Sequence, residues 1–191
     1  MPTAAALLAQ ARQGASLTQN ALGVLSGLRQ GFISRAERGH QDLTVTALNR
    51  LVHASGWKLT VLPTQSATVA ETAQDCARWF KAGHEDGPYR AVIQLADDLA
   101  GEHGAERVAL TVAPPAPTGD ERFDAFIAGV TEHRLDEEDL PHPRWLATAA
   151  RLDDLWFVDD SSINGQATID ATPPALRRRG VIINAEELVS V

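Results

Sequence analysis

Side chains able to do chemistry are scattered along this sequence, and their spacing decides which chemistry is open to them. His84, His103, His133 and His142 are natural metal ligands, but no two stand three or four residues apart on a helix, and the single cysteine, Cys76, is far from them. No metal site and no cofactor is expected, and one cysteine cannot close an internal disulfide. Asp153, Asp154, Asp159 and Asp160 could bind a cation or act as paired acids, although carboxylates at such positions also solvate turns and cap helices. Ser161 and Ser162 lack the flanking pattern of a nucleophile elbow, and no glycine-rich phosphate loop is present. The expectation is a protein without catalytic residues, not an enzyme. Cations are the more informative set. Arg12, Arg29, Arg35, Arg38, Arg50 and Lys58 face only Glu37 and Asp42 in residues 1–64, which leaves that segment at +4. The whole chain carries −8 at pH 7, so residues 65–191 carry −12. A basic head can meet phosphates while an acidic body is repelled by them, which suits contact with nucleic acid at one end only.

The elements that must position these cations are short helices. Ala4 to Gln13 is rich in alanine and leucine, and Gly14-Ala15-Ser16 interrupts it. A second helix starts at Ser16 or Leu17-Thr18, carries Ala21, Leu22 and Leu25 at helical spacing, and stops at Gly27. Residues 29–38 form a third, closed by Gly39. A fourth runs from about Val45 to Ser55, with Leu48, Leu51 and Val52 inward and Gly56 as its stop. Trp57 to Leu62 then alternates polar and apolar residues before Pro63, which reads as a strand. A lone strand leaves its backbone groups unpaired, and pairing with the same strand of a second subunit through Trp57, Leu59 and Val61 resolves this; an extended linker is the alternative.

From Leu17 to Gly39 the chain reads LTQNALGVLSGLRQGFISRAERG. This resembles the lambda-repressor-like (Xre) family of helix-turn-helix regulators, over about Ala4 to Leu62: a Leu-Thr-Gln opening, a small residue and glycine at the turn, then Ile-Ser-Arg and Glu-Arg-Gly without a gap. The resemblance implies a five-helix DNA-binding domain in residues 1–63, in which the helix from Arg29 to Gly39 lies in the major groove. Ala21 and Gly27 would let its two helices approach, with Leu22, Leu28 and Ile33 as the wedge. Gln30, Gly31, Ser34 and Arg35 would then face the bases, because glutamine pairs bidentately with adenine and arginine with guanine. Gln19 would meet a phosphate at the first turn of the leading helix, with Arg12, Arg29, Arg38 and His40 as further phosphate contacts. Two positions depart from the family pattern: Arg29 stands where a helix-capping Ser, Thr or Asp is usual, and Gly31 weakens a short helix. Glu37 reads as a structural ion pair or cap near Arg38.

The body, residues 69–191, carries no motif of that specificity. Thr64 to Thr68 reads as a hinge. Helices are expected from Val69 to Ala82, Tyr89 to His103, Asp120 to His133 and Trp145 to Ala150, with a small sheet near 107–113 or 181–183. The overall expectation is a mainly α chain. Arg177-Arg178-Arg179 reads either as a contact with DNA or an acidic partner, or as pairing with the chain's own carboxylates. Trp79, Trp145, Trp156 and Phe157 read as anchors of the fold, and an exposed member would mark a protein-binding surface. No apolar run is long enough to cross a bilayer, and the first residues lack the pattern of a secretory signal, so the expected place is the cytoplasm and no membrane partner is expected.

Heads of this family joined through a segment like Gly56-Trp57-Lys58-Leu59-Thr60-Val61-Leu62-Pro63 resemble those of antitoxins that dimerise and repress their own operon. The resemblance implies a homodimer on a double-stranded operator and a body that binds a cognate toxin. The alternative is a ligand- or stress-responsive transcription factor with a sensor body. A phage-type repressor whose body only assists oligomerisation is a third reading.

Overall fold

Thr3, Thr18 and Thr44 each accept a hydrogen bond from the backbone N–H three residues on, at 3.2, 3.0 and 3.2 Å, and each begins a helix. In a computed structural model, which describes residues 3–84, 86–158 and 165–189, these caps open α1 (Ala4–Gly14), α2 (Gln19–Ser26) and α4 (Val45–Ala54), while α3 (Gln30–Glu37) starts after Arg29. Gly27 takes the left-handed conformation (φ 69°) that closes α2. The expectations for Asp159, Asp160, Ser161 and Ser162 fall outside the described residues. The chain divides into two units, Met1–Pro63 and Thr64–Val191. The described residues are mainly helical, with ten α-helices and one pair of two-residue strands.

The first unit packs its four helices around Leu8, Ala11, Leu22, Ile33, Ala36, Leu48, Leu51 and Val52. The resemblance implies five helices; after Gly56 the chain instead runs to Pro63 without a helix or strand, where the β-branched pair Thr60-Val61 and the terminal proline disfavour a further helix. This segment is no strand within the chain, and Trp57, Leu59 and Val61 do not share one role. The Trp57 indole lies against Gly14, where an added Cβ would stand 2.7 Å from the ring, and Leu59 packs on the same core. Val61 is 94% exposed. Leu25, at helical spacing with Leu22 on α2, is 59% exposed, while Leu22, Gly23 and Ser26 are the buried residues of that helix.

In the second unit, Thr68 and Glu71 form a reciprocal capping box that starts α5 (Val69–Ala82), closed by left-handed Gly83. α6 (Asp86–Gly101), α7 (Gly104–Thr111) and α8 (Glu121–Asp136) follow. α8 is buried almost all round, from Phe123 through Thr131 to Leu135, and is the centre about which the unit packs. A 3-10 helix, Arg144–Thr148, replaces the α-helix expected at Trp145 to Ala150. β1 (Trp156–Phe157) and β2 (Val181–Ile182) pair in parallel, Trp156 with Val181 and Phe157 with Ile182. Between them in sequence lie α9 (Gly165–Ala171) and α10 (Pro174–Arg177); a second 3-10 helix, Ala185–Leu188, ends the described chain. Of the two places given for a small sheet, 181–183 holds a strand and 107–113 does not. There the chain is helical through Thr111, with buried Arg107 donating to the carbonyls of Glu102 and Arg134.

Residues 64–68, expected as a hinge, are tied to α6 and to Glu102, the residue that follows it. Glu102 accepts hydrogen bonds from the Thr64 and Ser66 hydroxyls, and Asp98 accepts from the Ala67 N–H at 2.8 Å. Small polar residues give no sign in sequence of whether their hydroxyls find partners, which is why a docked segment read as a flexible one. No helix among the described residues is long and apolar enough to cross a membrane.

Candidate nucleic-acid interface

The close approach of α2 to α3 depends on a glycine that the sequence reading passed over. A Cβ on Gly23 would lie 2.8 Å from the Leu28 carbonyl oxygen and 3.7 Å from the Ile33 side chain. Gly27 serves the turn and not the contact. Ile33 is fully buried, and Leu28 packs on the same core, as the wedge reading requires. Arg50 donates to the Ser26 carbonyl at 2.7 Å and so closes the C-terminal end of α2.

A carboxylate holds the polar face of this helix pair together. Glu37, at the end of α3, accepts from Arg12 Nε at 2.6 Å and Nη2 at 3.0 Å, and from Gln19 Nε2 at 2.9 Å. Gln19 in turn accepts from Gln30 Nε2 at 2.8 Å. Side chains from α1, α2 and α3 therefore form one continuous relay, Arg12–Glu37–Gln19–Gln30. Arg12 also donates to the Leu17 carbonyl at 2.8 Å. The hydrogen bond with Glu37 raises the Arg12 pKa against the opposing effect of burial. With side chains 14% and 8% exposed, Arg12 and Glu37 are a largely but not fully buried pair, the guanidinium engaged with Glu37 and the Leu17 carbonyl.

The expected site residues thus sort by exposure. Gln30 and Arg35 are exposed on α3, Gly31 is half-buried beside them, and Ser34 is buried, its hydroxyl accepting from Arg38 Nη2 at 2.5 Å. Ser34, expected at the bases, is occupied within its own helix, four residues from Arg38. Of the expected phosphate contacts, Arg29, Arg38 and His40 are exposed, Gln19 is half-buried and fixed by Glu37, and Arg12 is engaged with Glu37. Glu37 pairs with Arg12 and not with nearby Arg38. Arg29 caps α3 without a side-chain hydrogen bond, as its residue type implied. Gln30 with Arg35 on one exposed helix face, and a fixed Gln19 beside them, can present amide and guanidinium groups together to a flat, polar, anionic surface.

In the second unit the candidate groups are drawn into internal pairs. His103 Nδ1 lies 2.5 Å from Glu138, His142 Nε2 lies 2.8 Å from Asp136, and His133 Nε2 lies 3.6 Å from Glu137. Among the described residues no group of three His, Cys, Asp or Glu side chains could hold a metal. Cys76 is buried, and burial pushes its thiol up to about 12, so it is no nucleophile at neutral pH. In the basic run, Arg179 is 2% exposed and lies 2.7 Å from Glu132, while Arg178 donates to Glu132 at 3.0 Å and lies 3.6 Å from Asp136. Only Arg177 of the three is exposed without such a partner among the described residues. Burial disfavours a charged Glu132, but the hydrogen bonds from Arg178 and Arg179 outweigh it and hold the carboxyl below the usual range. Trp145 and Trp156 pack on the core, whereas Trp79 is 41% exposed, edge-on to His84 at 5.1 Å. Comparison of the chain with protein-family models, curated proteins and solved structures finds no match.

Proposed function

We propose that this chain is a sequence-specific DNA-binding transcriptional repressor that acts as a homodimer on its own operator. The observation that carries the reading is the relay Arg12–Glu37–Gln19–Gln30. It fixes a phosphate-seeking glutamine on α2 beside two exposed base-reading side chains on α3, Gln30 and Arg35. Preorganised donors lose little freedom on binding, so each contact gives more affinity than a mobile side chain would. The +4 charge of residues 1–64 supplies attraction to the backbone, and the −12 of residues 65–191 keeps the body off it. Ser34 and Arg12, whose side chains are engaged with Arg38 and Glu37, are left out of the proposed contacts.

The body is the partner-binding half of an antitoxin. Its net charge suits a basic protein surface. Exposed Trp79, which lines a cleft of mixed charge with Asp75, His84, Asp86, Arg90 and Gln94, is the kind of aromatic anchor such surfaces use. Two assays test the parts separately. A reporter driven by the DNA upstream of the chain's own gene is expected to be repressed by the wild-type chain and released by Arg35→Ala. Unchanged reporter output with either protein would remove the autorepressor reading. Residues 65–191 used as bait in the native host are expected to recover one stoichiometric small protein that is toxic alone. Recovery of nothing by a folded bait would move the body to small-molecule sensing.

A further inference from the structure

A small cavity in the second unit is walled by three elements that the fold holds in place. Pro114, Pro115 and Pro117 form one side, and Asp124 and Ile127 of α8 form a second. The third is Trp145 of the 3-10 helix with Ala149 and Ala150 after it, and together they line about 300 Å³. That volume suits a small molecule. Each wall has its own anchor. Three prolines in four residues stiffen the loop, and buried Thr118 ties its end to α8. The Thr118 N–H donates to Asp124 Oδ1 at 2.8 Å, and its hydroxyl donates to the Asp120 carbonyl at 3.0 Å. Arg179, paired with Glu132 of α8, donates to the carbonyls of Leu146 and Ala150 at 3.0 and 3.2 Å and so clamps the third wall. Walls already held in place need little ordering when a ligand enters.

The chemistry of this lining is one-sided. Asp124 is its one charged residue. Among the described residues no hydrogen bond or ion pair reaches Asp124 Oδ2, and no side-chain oxygen is both buried and unpartnered, so Oδ2 is open to a ligand. Donors are scarce. Proline has no N–H, and the Trp145 indole N–H is engaged by the Thr111 carbonyl at 2.8 Å. The Ala149 N–H donates to the Leu146 carbonyl at 3.4 Å, and the Thr148 hydroxyl to the Trp145 carbonyl at 3.3 Å. We infer that this cavity binds a small organic ammonium ion, a charged amine on a short apolar body. Its N–H groups donate to Asp124 Oδ2, and its body lies against Ile127, Trp145 and the prolines. Asp124 and the −12 charge of residues 65–191 repel an anion and draw in a cation. A neutral molecule of the same shape fills the apolar part but forgoes the stronger, charge-assisted hydrogen bond. The indole adds to the preference, because aromatic rings attract cations. The site belongs to the second unit and is independent of the DNA-binding reading above.

NMR titration of the isotope-labelled full chain at neutral pH tests this with three probes of like size: phenethylamine, phenethyl alcohol and phenylacetate. Phenethylamine is expected to shift the Trp145 indole and the Ile127 and Ala150 amides saturably, with a Kd at least about tenfold below that of the alcohol. Phenylacetate is expected not to bind. Asp124→Asn keeps an oxygen for the Thr118 N–H, so the fold stands while the amine loses its advantage over the alcohol. Asp139→Asn removes the same charge from an exposed position just beyond the other end of α8 and should bind as the wild type does. Nα-acetyl-lysine amide carries the same ammonium on a linear stem and separates the two sources of this chemistry. Weaker binding than phenethylamine assigns the site to a free amine, and tighter binding assigns it to a lysine side chain of a protein partner. No saturable shift, shifts that spare Trp145 and Ile127, or equal affinity for amine and alcohol would each overturn the assignment. So would an unchanged preference in Asp124→Asn or an equal loss in Asp139→Asn.

Discussion

Replacing Glu37 by glutamine should unfold the first unit at a markedly lower temperature, and the size of the effect follows from what the carboxylate holds. It accepts from Arg12 at 2.6 and 3.0 Å and from Gln19 at 2.9 Å, with only 8% of the side chain exposed. Breaking a buried ion pair by removing one partner costs about 3–5 kcal/mol, since the remaining charge is left without compensation. Arg12 keeps the Leu17 carbonyl, and the glutamine oxygen can still accept one bond, so the expected loss is about 2–3 kcal/mol. For a unit spanning Met1–Pro63 this corresponds to a fall in Tm of roughly 10–20 °C. Thermal unfolding of residues 1–63 followed by the emission of Trp57, its one tryptophan, reads this directly. Converting both partners to apolar residues, Arg12→Met with Glu37→Leu, should recover most of the loss, because an apolar pair of similar size replaces a buried ion pair at little net cost. A loss below about 0.5 kcal/mol for Glu37→Gln would refute the reasoning. The pair would then be no structural hub, and Arg12 would be free to turn outward.

Three further outcomes follow from the same geometry. Gly31→Ala should stabilise the first unit by up to about 1 kcal/mol, since the new Cβ meets only the Arg35 guanidinium, at 3.8 Å. Gly23→Ala should destabilise it by about 1–3 kcal/mol, since its Cβ would press on the Leu28 carbonyl at 2.8 Å; the same melts rank the two. Glu132 is held below the usual carboxylate range when folded, so its contribution is present above the unfolded pKa of about 4.3 and is lost as pH falls through the folded value. Glu132→Gln should therefore lower the Tm of the second unit near pH 7, with the difference from wild type shrinking as the melts are taken into acid. For DNA, Arg35→Ala should lose preference at one base position, while Gln19→Ala should weaken binding to cognate and random duplexes alike, as anisotropy titrations would show.

What could be read in the sequence was local. The helix start at Leu17-Thr18, the stop at Gly27 and the span of α5 each depend on residues within about one turn of each other. Exposure of Gln30 and Arg35 and burial of Ile33 follow from helical phase within eight residues. The rest depends on partners distant in sequence. Glu37 is 25 residues from Arg12, and nothing in their spacing joins them; nearby Arg38 was the obvious partner and is occupied with Ser34 instead. Gly23 lies within α2 against the Leu28 carbonyl, whereas Gly27 holds the left-handed turn that closes the helix, and the two look alike in sequence. The strand pair is two residues long on each side and is made by segments separated by α9 and α10, too short for any alternation to register. Arg107 looks like a surface residue in sequence and is 3% exposed, because carbonyls from three other positions converge on its guanidinium.

The central claim is that α3 reads DNA sequence from a dimer, and the most direct test is selection of bound duplexes from a random pool by the full chain. The account predicts a consensus of two inverted half-sites with centres about one helical turn, ~34 Å, apart, and the loss of one base preference in each half-site with Arg35→Ala. A pool that stays random through repeated rounds, or a consensus that Arg35→Ala and Gln30→Ala leave unchanged, would contradict it.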